Sequence, residues 1–130
     1  MKNGLNDNVM LRDIIIFGKY NPDNYMGGIC RFKISLDTLQ ELVDNNFIDL
    51  DECQNGSPSV QEFLTYMRKW SGYYAHGYTV DIVRDDYRIT LEGIGKDTPA
   101  DSQEELDAFM ELCKDADELS HKDELYAWWD

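Results

Sequence analysis

Residues 51–62, DECQNGSPSVQE, have part of the spacing of a calcium-binding loop. Such a loop needs oxygen ligands at positions one, three and five, glycine at six and a bidentate glutamate at twelve. Asp51, Asn55, Gly56 and Glu62 stand at one, five, six and twelve. Position three is Cys53, a soft thiol where the ion needs a hard oxygen, and position eight is Pro58. The same residues also read as a turn ended by Gly56 and a helix capped by Ser57 or Ser59. Glu62 then closes a capping box on Ser59. Asp51, Asn55 and Glu62 are thus calcium candidates on an incomplete pattern, and we expect neither metal nor other cofactor.

Catalytic spacing is no richer. His76 and His121 lie in different segments, and no H-E-x-x-H, G-x-S-x-G or phosphate-cradling glycine loop is present. His76, in AHGY, is a candidate general base, but no second catalytic group can be named beside it. Cys53 sits among acids, which disfavours its thiolate. We expect no catalytic residue.

The acids are the other chemical feature. Lys and Arg number 12 against 26 Asp and Glu, for a net charge of −14. Residues 97–130 carry twelve acids and only Lys114 and Lys122 as bases. Asp107, Glu111, Asp115 and Glu118 recur at steps of four, four and three, opposite Leu106, Phe109, Met110 and Cys113. On a helix rising ~1.5 Å per residue, neighbours in such a row stand roughly 6 Å apart. That is of the order of the spacing between successive phosphates on a nucleic-acid strand. A second stretch, residues 37–62, has seven acids and no base, with Asp37, Glu41 and Asp44 at helical spacing. An ordinary solvated face would look the same. Read as a site, the rows offer carboxylates in place of phosphates to a basic protein, with Tyr126, Trp128 and Trp129 as apolar anchors. The tryptophans read equally as packing for the C-terminal segment.

The charge disfavours direct binding of nucleic acid or anionic membranes. Three widely spaced cysteines and no CxxC pair argue against a disulfide framework and fit a reducing cytoplasm. The longest apolar stretch, residues 14–17, is far too short to span a bilayer. A chain of 130 residues with 42% apolar content suggests one globular domain, residues 1–130. Its polar first ten residues read as loose.

These side chains need elements to position them. LRDIIIFGK and GGICRFKI, either side of the turn cluster YNPDNYM, read as two strands. Leu36, Leu39, Leu42, Val43 and Phe47 mark a short amphipathic helix, and Ser57-Pro58 starts another running to Trp70. Residues 73–83 and 86–94 read as a hairpin turning at Arg84-Asp85, with one solvated face. Ser102 and Glu105 form a capping box for a helix that breaks near Ser120, before a last turn or short helix over 122–129. The order β-β-α-α-β-β-α predicts an α+β domain. Two β-hairpins make a mostly antiparallel sheet, with helices on one face.

Residues 16–21, IFGKYN, followed by Gly27-Gly28 and Arg31-Phe32, resemble the opening of ArdA-type antirestriction proteins. The resemblance covers residues 16–35. It implies a strand carrying the GKYN segment, and an acidic DNA mimic that blocks restriction enzymes. We therefore expect a cytoplasmic, non-catalytic inhibitor of a basic nucleic-acid-binding protein, of antirestriction or anti-CRISPR type. The alternatives are an immunity-type protein that neutralises a toxin, an accessory protein, or a small enzyme using His76.

Overall fold

The computed structural model describes residues 1–20 and 28–130. The turn expected over residues 21–26 and Gly27 of the expected second strand lie outside the described residues. Asn21 and Gly27 of the ArdA-like segment lie outside them too.

The first element is a helix, α1 (Val9–Phe17), not the strand expected over residues 11–19. Both its ends are capped. The Asn8 side chain accepts from the Leu11 N–H, and Gly18, at φ 80°, returns its N–H to the Ile14 carbonyl. Capping at both ends and the packing of Leu11, Ile15 and Ile16 on the core outweigh the β-preference of the three isoleucines.

Strand β1 (Ile29–Ser35) runs directly into α2 (Leu36–Asp44), and Ser35 caps that helix by accepting from the Thr38 N–H. Helix α3 (Val60–Lys69) begins after Ser59 and not at Pro58. The full capping box of Ser59 and Glu62 is present. Strands β2 (Tyr74–Val80) and β3 (Ile89–Lys96) follow, joined by a loop longer than the expected turn at Arg84-Asp85. Helix α4 (Gln103–Leu112) is capped by Ser102. It ends at Leu112, well short of Ser120. The chain then reverses into β4 (Glu118–Ser120) and β5 (Leu125–Trp128), where a last turn or short helix was expected.

The fold is α+β. Five antiparallel strands lie in the order β1-β2-β3-β5-β4. The hairpins are β2–β3 and β4–β5, because β1 reaches β2 only after α2 and α3. One sheet face meets the helices. Phe32, Ile34, Ala75, Ile89, Leu91, Ile94, Leu125, Ala127 and Trp129 share a core with Leu39 and Leu42 of α2, Phe63 and Leu64 of α3, and Phe109 of α4. Burying this apolar area is the main stabilising contribution, at ~25 cal/mol per Å² removed from water.

The expected solvated side of β3 is not solvated: every residue of the strand is buried. The pairing register shifts between His76 and Gly77, so Ala75 faces Ile94 while His76 faces Gly93. Gly93 therefore leaves the core face that alternation from Ile89 and Leu91 assigns it. Side chains from neighbouring strands lie across β3 instead. A Cβ at Gly93 would stand 2.0 Å from the Ala127 oxygen and 2.3 Å from His76 Nε2. At Gly95 it would stand 2.4 Å from the Tyr74 hydroxyl. Because the first of these clashes is with backbone, Gly93→Ala should cost about 3 kcal/mol, the top of the usual range for overpacking. A urea denaturation midpoint checks it; an unchanged midpoint would show that β5 shifts at no cost.

The chain start is tied down rather than loose. Lys2 Nζ donates to the Ile82 carbonyl at 2.6 Å, Asn6 N–H donates to the Asn46 carbonyl at 2.8 Å, and the Tyr87 hydroxyl donates to the Asn6 carbonyl at 2.6 Å. Among the described residues no helix is long and apolar enough to cross a membrane.

Candidate partner-binding surfaces

The acid row on α2 forms as its spacing predicts. Asp37, Glu41 and Asp44 are all exposed and follow the outer side of the helix, opposite buried Leu39 and Leu42. The second row is shorter than expected. Asp107 and Glu111 lie one turn apart on α4, but that helix stops at Leu112. Asp115 falls in the following turn and Glu118 on β4, so a spacing of roughly 6 Å cannot be extended to them from helix geometry. Nor do the two rows form one band. Helix α3 packs against α2 and, through Tyr66 and Phe109, against α4. It brings Arg68 and Lys69, with Arg68 bonded to Gln40 of α2.

The bases are largely used up in local pairs. Arg31 meets Glu92, Lys33 meets Asp97, Arg84 and Arg88 share Asp86, Lys96 meets Glu105, and Lys114 meets Glu111. Asp37, Glu41, Asp44, Asp107, Asp115 and Glu118 have no ion-pair partner among the described residues. Gln40 donates to Asp44 and Gln103 to Asp107, which neutralises neither carboxylate.

The closing aromatics divide. Trp129 is wholly buried, edge-on to Phe63 at 5.8 Å between ring centroids, and offers no surface to a partner. Its indole Nε1–H has no acceptor among the described residues. An unmet buried donor of this kind costs about 1–3 kcal/mol. Trp128 points to the opposite sheet face and donates through Nε1 to Glu92 at 3.1 Å.

That opposite face is a layer the sequence reading did not assemble. His76 stacks on Tyr126 with ring centroids 5.1 Å apart and planes 6° apart. Its Nε2 lies 3.1 Å from the Ala127 carbonyl. Burial lowers its pKa, against the raising effects of that carbonyl and of Glu92. A neutral imidazole donating Nε2–H to Ala127 fits both facts. His76 thus fastens β2 to β5, and among the described residues no nucleophile is hydrogen-bonded to it. Lys33 Nζ sits 3.9 Å above the Tyr74 ring, and Arg31 and Arg88 both approach the ring of Tyr78. The sequence did carry a signal for this layer: glycines two apart at 93 and 95, opposite ring-bearing residues 74 and 76.

The calcium candidates do not converge on a cation. Glu62 accepts from the Ser59 N–H and hydroxyl as part of the helix cap, and Asn55 and Gly56 form a turn with positive φ at both. Among the described residues no group of three His, Cys, Asp or Glu could hold a metal ion. Cys113 is buried, which pushes its thiol up to about 12 and leaves it unreactive at neutral pH.

No family model, curated protein or solved structure matches this chain.

A buried polar cluster was also missed. Lys96 Nζ lies 3.0 Å from Glu105 Oε2 and 3.0 Å from Asp101 Oδ2. Tyr66 donates its hydroxyl to Tyr73 at 2.8 Å, and Tyr73 donates to Glu105 at 2.7 Å. The Asp101 N–H adds a bond to Glu105 at 2.8 Å. Ser102 accepts from the Glu105 N–H as a capping box requires, but the Glu105 carboxylate turns inward to this cluster. The cluster ties α4 to β3 and α3.

Proposed function

We propose that the protein acts by binding, as a non-catalytic inhibitor of a basic, nucleic-acid-binding protein, with its exposed carboxylates standing in for phosphates. The observation that carries this reading is the separation of charge. Seven bases are held in local pairs, while Asp37, Glu41 and Asp44 of α2, Asp107 of α4, Asp115 in the turn after it and Glu118 of β4 stay exposed, with no ion-pair partner among the described residues. Unpaired like charges one helical turn apart cost stability, by a few tenths of a kcal/mol per pair. A partner rich in Lys and Arg would remove that cost. The DNA-mimic form of the reading, of antirestriction or anti-CRISPR type, rests on the sequence resemblance of residues 16–35 alone, since Ile16 and Phe17 end helix α1 where the resemblance implies a strand. We place such an inhibitor in the cytoplasm, beside the enzymes it would block.

The binding residues in this reading are Asp37, Glu41 and Asp44 on one helix, and Asp107, Glu111, Asp115 and Glu118 around the end of α4. Trp128 lies at the margin. The test is capture of a purified DNA-binding enzyme at rising salt, with DNA as competitor. A mimic should be released by salt and displaced by DNA. Replacing Asp107, Glu111, Asp115 and Glu118 by Asn or Gln should weaken capture by at least about tenfold and flatten the salt dependence, as expected when ion contacts are removed. Capture that survives the substitutions, or ignores DNA, would defeat the mimic. An immunity-type protein would instead hold one toxin stoichiometrically, with no effect on restriction or CRISPR enzymes.

A further inference from the structure

A cavity of about 500 Å³ lies on the sheet face turned away from the helices. Strands β1, β2 and β3 give it Arg31, Tyr78 and Glu92, the β2–β3 loop gives Arg84 and Arg88, and the loop before α3 gives Glu52. The size suits a small molecule, and the charged lining excludes an apolar one. Three of the chain's five arginines stand here, although the chain as a whole carries −14. They are held in place without being used up. Arg31 and Arg88 both lie over the Tyr78 ring, at 5.8 and 5.6 Å from its centroid. Arg88 donates from Nε to Thr90 Oγ1 at 2.8 Å, from Nη2 to the Tyr78 hydroxyl at 2.9 Å and from Nη1 to Asp86 at 3.0 Å. Arg84 gives Nε and Nη2 to the same Asp86, so two guanidinium groups share one carboxylate. Arg31 gives only Nη1, to Glu92, and its side chain is 64% exposed. Among the described residues, Nε and Nη2 of Arg31 and Nη1 of Arg84 have no acceptor.

Carboxylates are left over as well. Glu52 and Asp130 line the same cavity and have no ion-pair partner among the described residues. Glu52 is half-buried, and burial raises its pKa against the lowering effect of Arg88. A cation beside Glu52 would offset that desolvation. A simple anion would face these carboxylates, and a simple cation would face the arginines. We propose that the cavity binds a small zwitterion, a free α-amino acid, with its carboxylate on Arg31 and Arg84 and its ammonium on Glu52 and Asp130. Guanidinium–carboxylate bonds are charge-assisted, and the fork of donors fixes the direction of the ligand. The site uses none of the acid rows, so it stands independently of the proposed inhibition.

The test is a titration of the full-length ¹⁵N-labelled protein with free L-amino acids, one at a time. The amide signals of residues 52–55 and the Nε–H signals of Arg31 and Arg84 are followed. At least one amino acid should bind and shift them. Its N-acetyl derivative lacks the ammonium, and its primary amide lacks the carboxylate. Each should bind at least about tenfold more weakly, the loss expected for one charge-assisted contact. Glu52→Gln should weaken the free amino acid by a similar factor and leave the N-acetyl form unchanged. Arg84→Gln should weaken both. If no amino acid shifts these signals at millimolar concentration, the site is overturned. A blocked form that binds as tightly as the free one overturns the zwitterion. Preference for the free form that ignores both substitutions places the site elsewhere and overturns the assignment. The blocked ligands are compared on the wild-type protein, so that arm does not depend on a variant that folds.

Discussion

Glu105→Ala should lower the stability of the fold by about 3 kcal/mol, the low end of the range for breaking a buried ion pair. Glu105 and Lys96 are both nearly excluded from solvent, at 3% and 6% exposure. Removing the carboxylate leaves the Lys96 ammonium buried with only Asp101, whose side chain is mostly exposed. It also leaves the Tyr73 hydroxyl without its acceptor. The low end applies because Asp101 still meets the charge. A Lys96→Met, Glu105→Leu double variant removes both ions at once and should recover part of the loss. Urea denaturation of Lys96→Met, Glu105→Leu and the double variant checks this; a double-variant loss equal to the sum of the two single losses would show that the pair contributes no coupling.

The same cluster sets a pH dependence. Burial raises the pKa of Glu105, but the Tyr73 hydroxyl, the Asp101 N–H and Lys96 together outweigh it and hold the group below its ordinary value of 4.5. A carboxyl depressed by folding contributes stability that is fully present above 4.5 and is lost as pH falls through the lower, folded value. Lys96 behaves in the opposite sense. Burial lowers it, while Glu105 and Asp101 raise it further, above 10.5. Its contribution is fully present below 10.5 and is lost only as pH climbs through the raised value. Wild type should therefore lose stability below pH 4.5 more steeply than Glu105→Gln, which has no carboxyl to protonate there.

The second large effect is at Trp129. Trp129→Ala should cost about 3–5 kcal/mol, as for other fully buried large-to-small changes. The ring is wholly buried against Phe63, and the residue's N–H closes the sheet by donating to the Glu92 carbonyl at 2.8 Å. Trp128→Ala should cost less, because Trp128 is only half-buried and Glu92 keeps Arg31. A denaturation midpoint that falls more for Trp128→Ala would invert the assignment of the two faces. Loss of partner binding in Trp129→Ala follows from unfolding; only Trp128 variants report on a surface role.

Local signals were readable where neighbours in sequence decide the structure. The Ser59–Glu62 capping box is present in the chain order, and so is the α2 acid row with its buried Leu39 and Leu42. The hairpin expected over residues 73–94 was visible for the same reason, though its strands, Tyr74–Val80 and Ile89–Lys96, leave a longer loop between them. The α1 helix was misread although its caps, Asn8 and Gly18, were in plain view. The run of β-branched residues favours a strand by local preference, and capping and packing outweigh it. The C-terminal hairpin also had its signal. Leu125, Ala127 and Trp129 alternate with Tyr126 and Trp128, a period of two that only a strand buries on one side.

The order of residues alone thus established the serine-capped starts of α3 and α4, the excess of acid and the exposed row on α2. Those depend on contacts within about one helical turn, which sequence spacing specifies. Only the tertiary structure decided the fate of individual charged and aromatic groups. It buried Glu105 on Lys96 while leaving Asp107, two residues on, in solvent. It ended α4 before Asp115 and divided the two tryptophans between opposite faces of the sheet. It also placed α3, with Arg68 and Lys69, against both acid-bearing helices. These outcomes turn on partners beyond one helical turn, from Lys96, nine residues from Glu105, to Glu92, 36 residues from Trp128, and the energy of a charge or an indole depends on whether such a partner or water meets it.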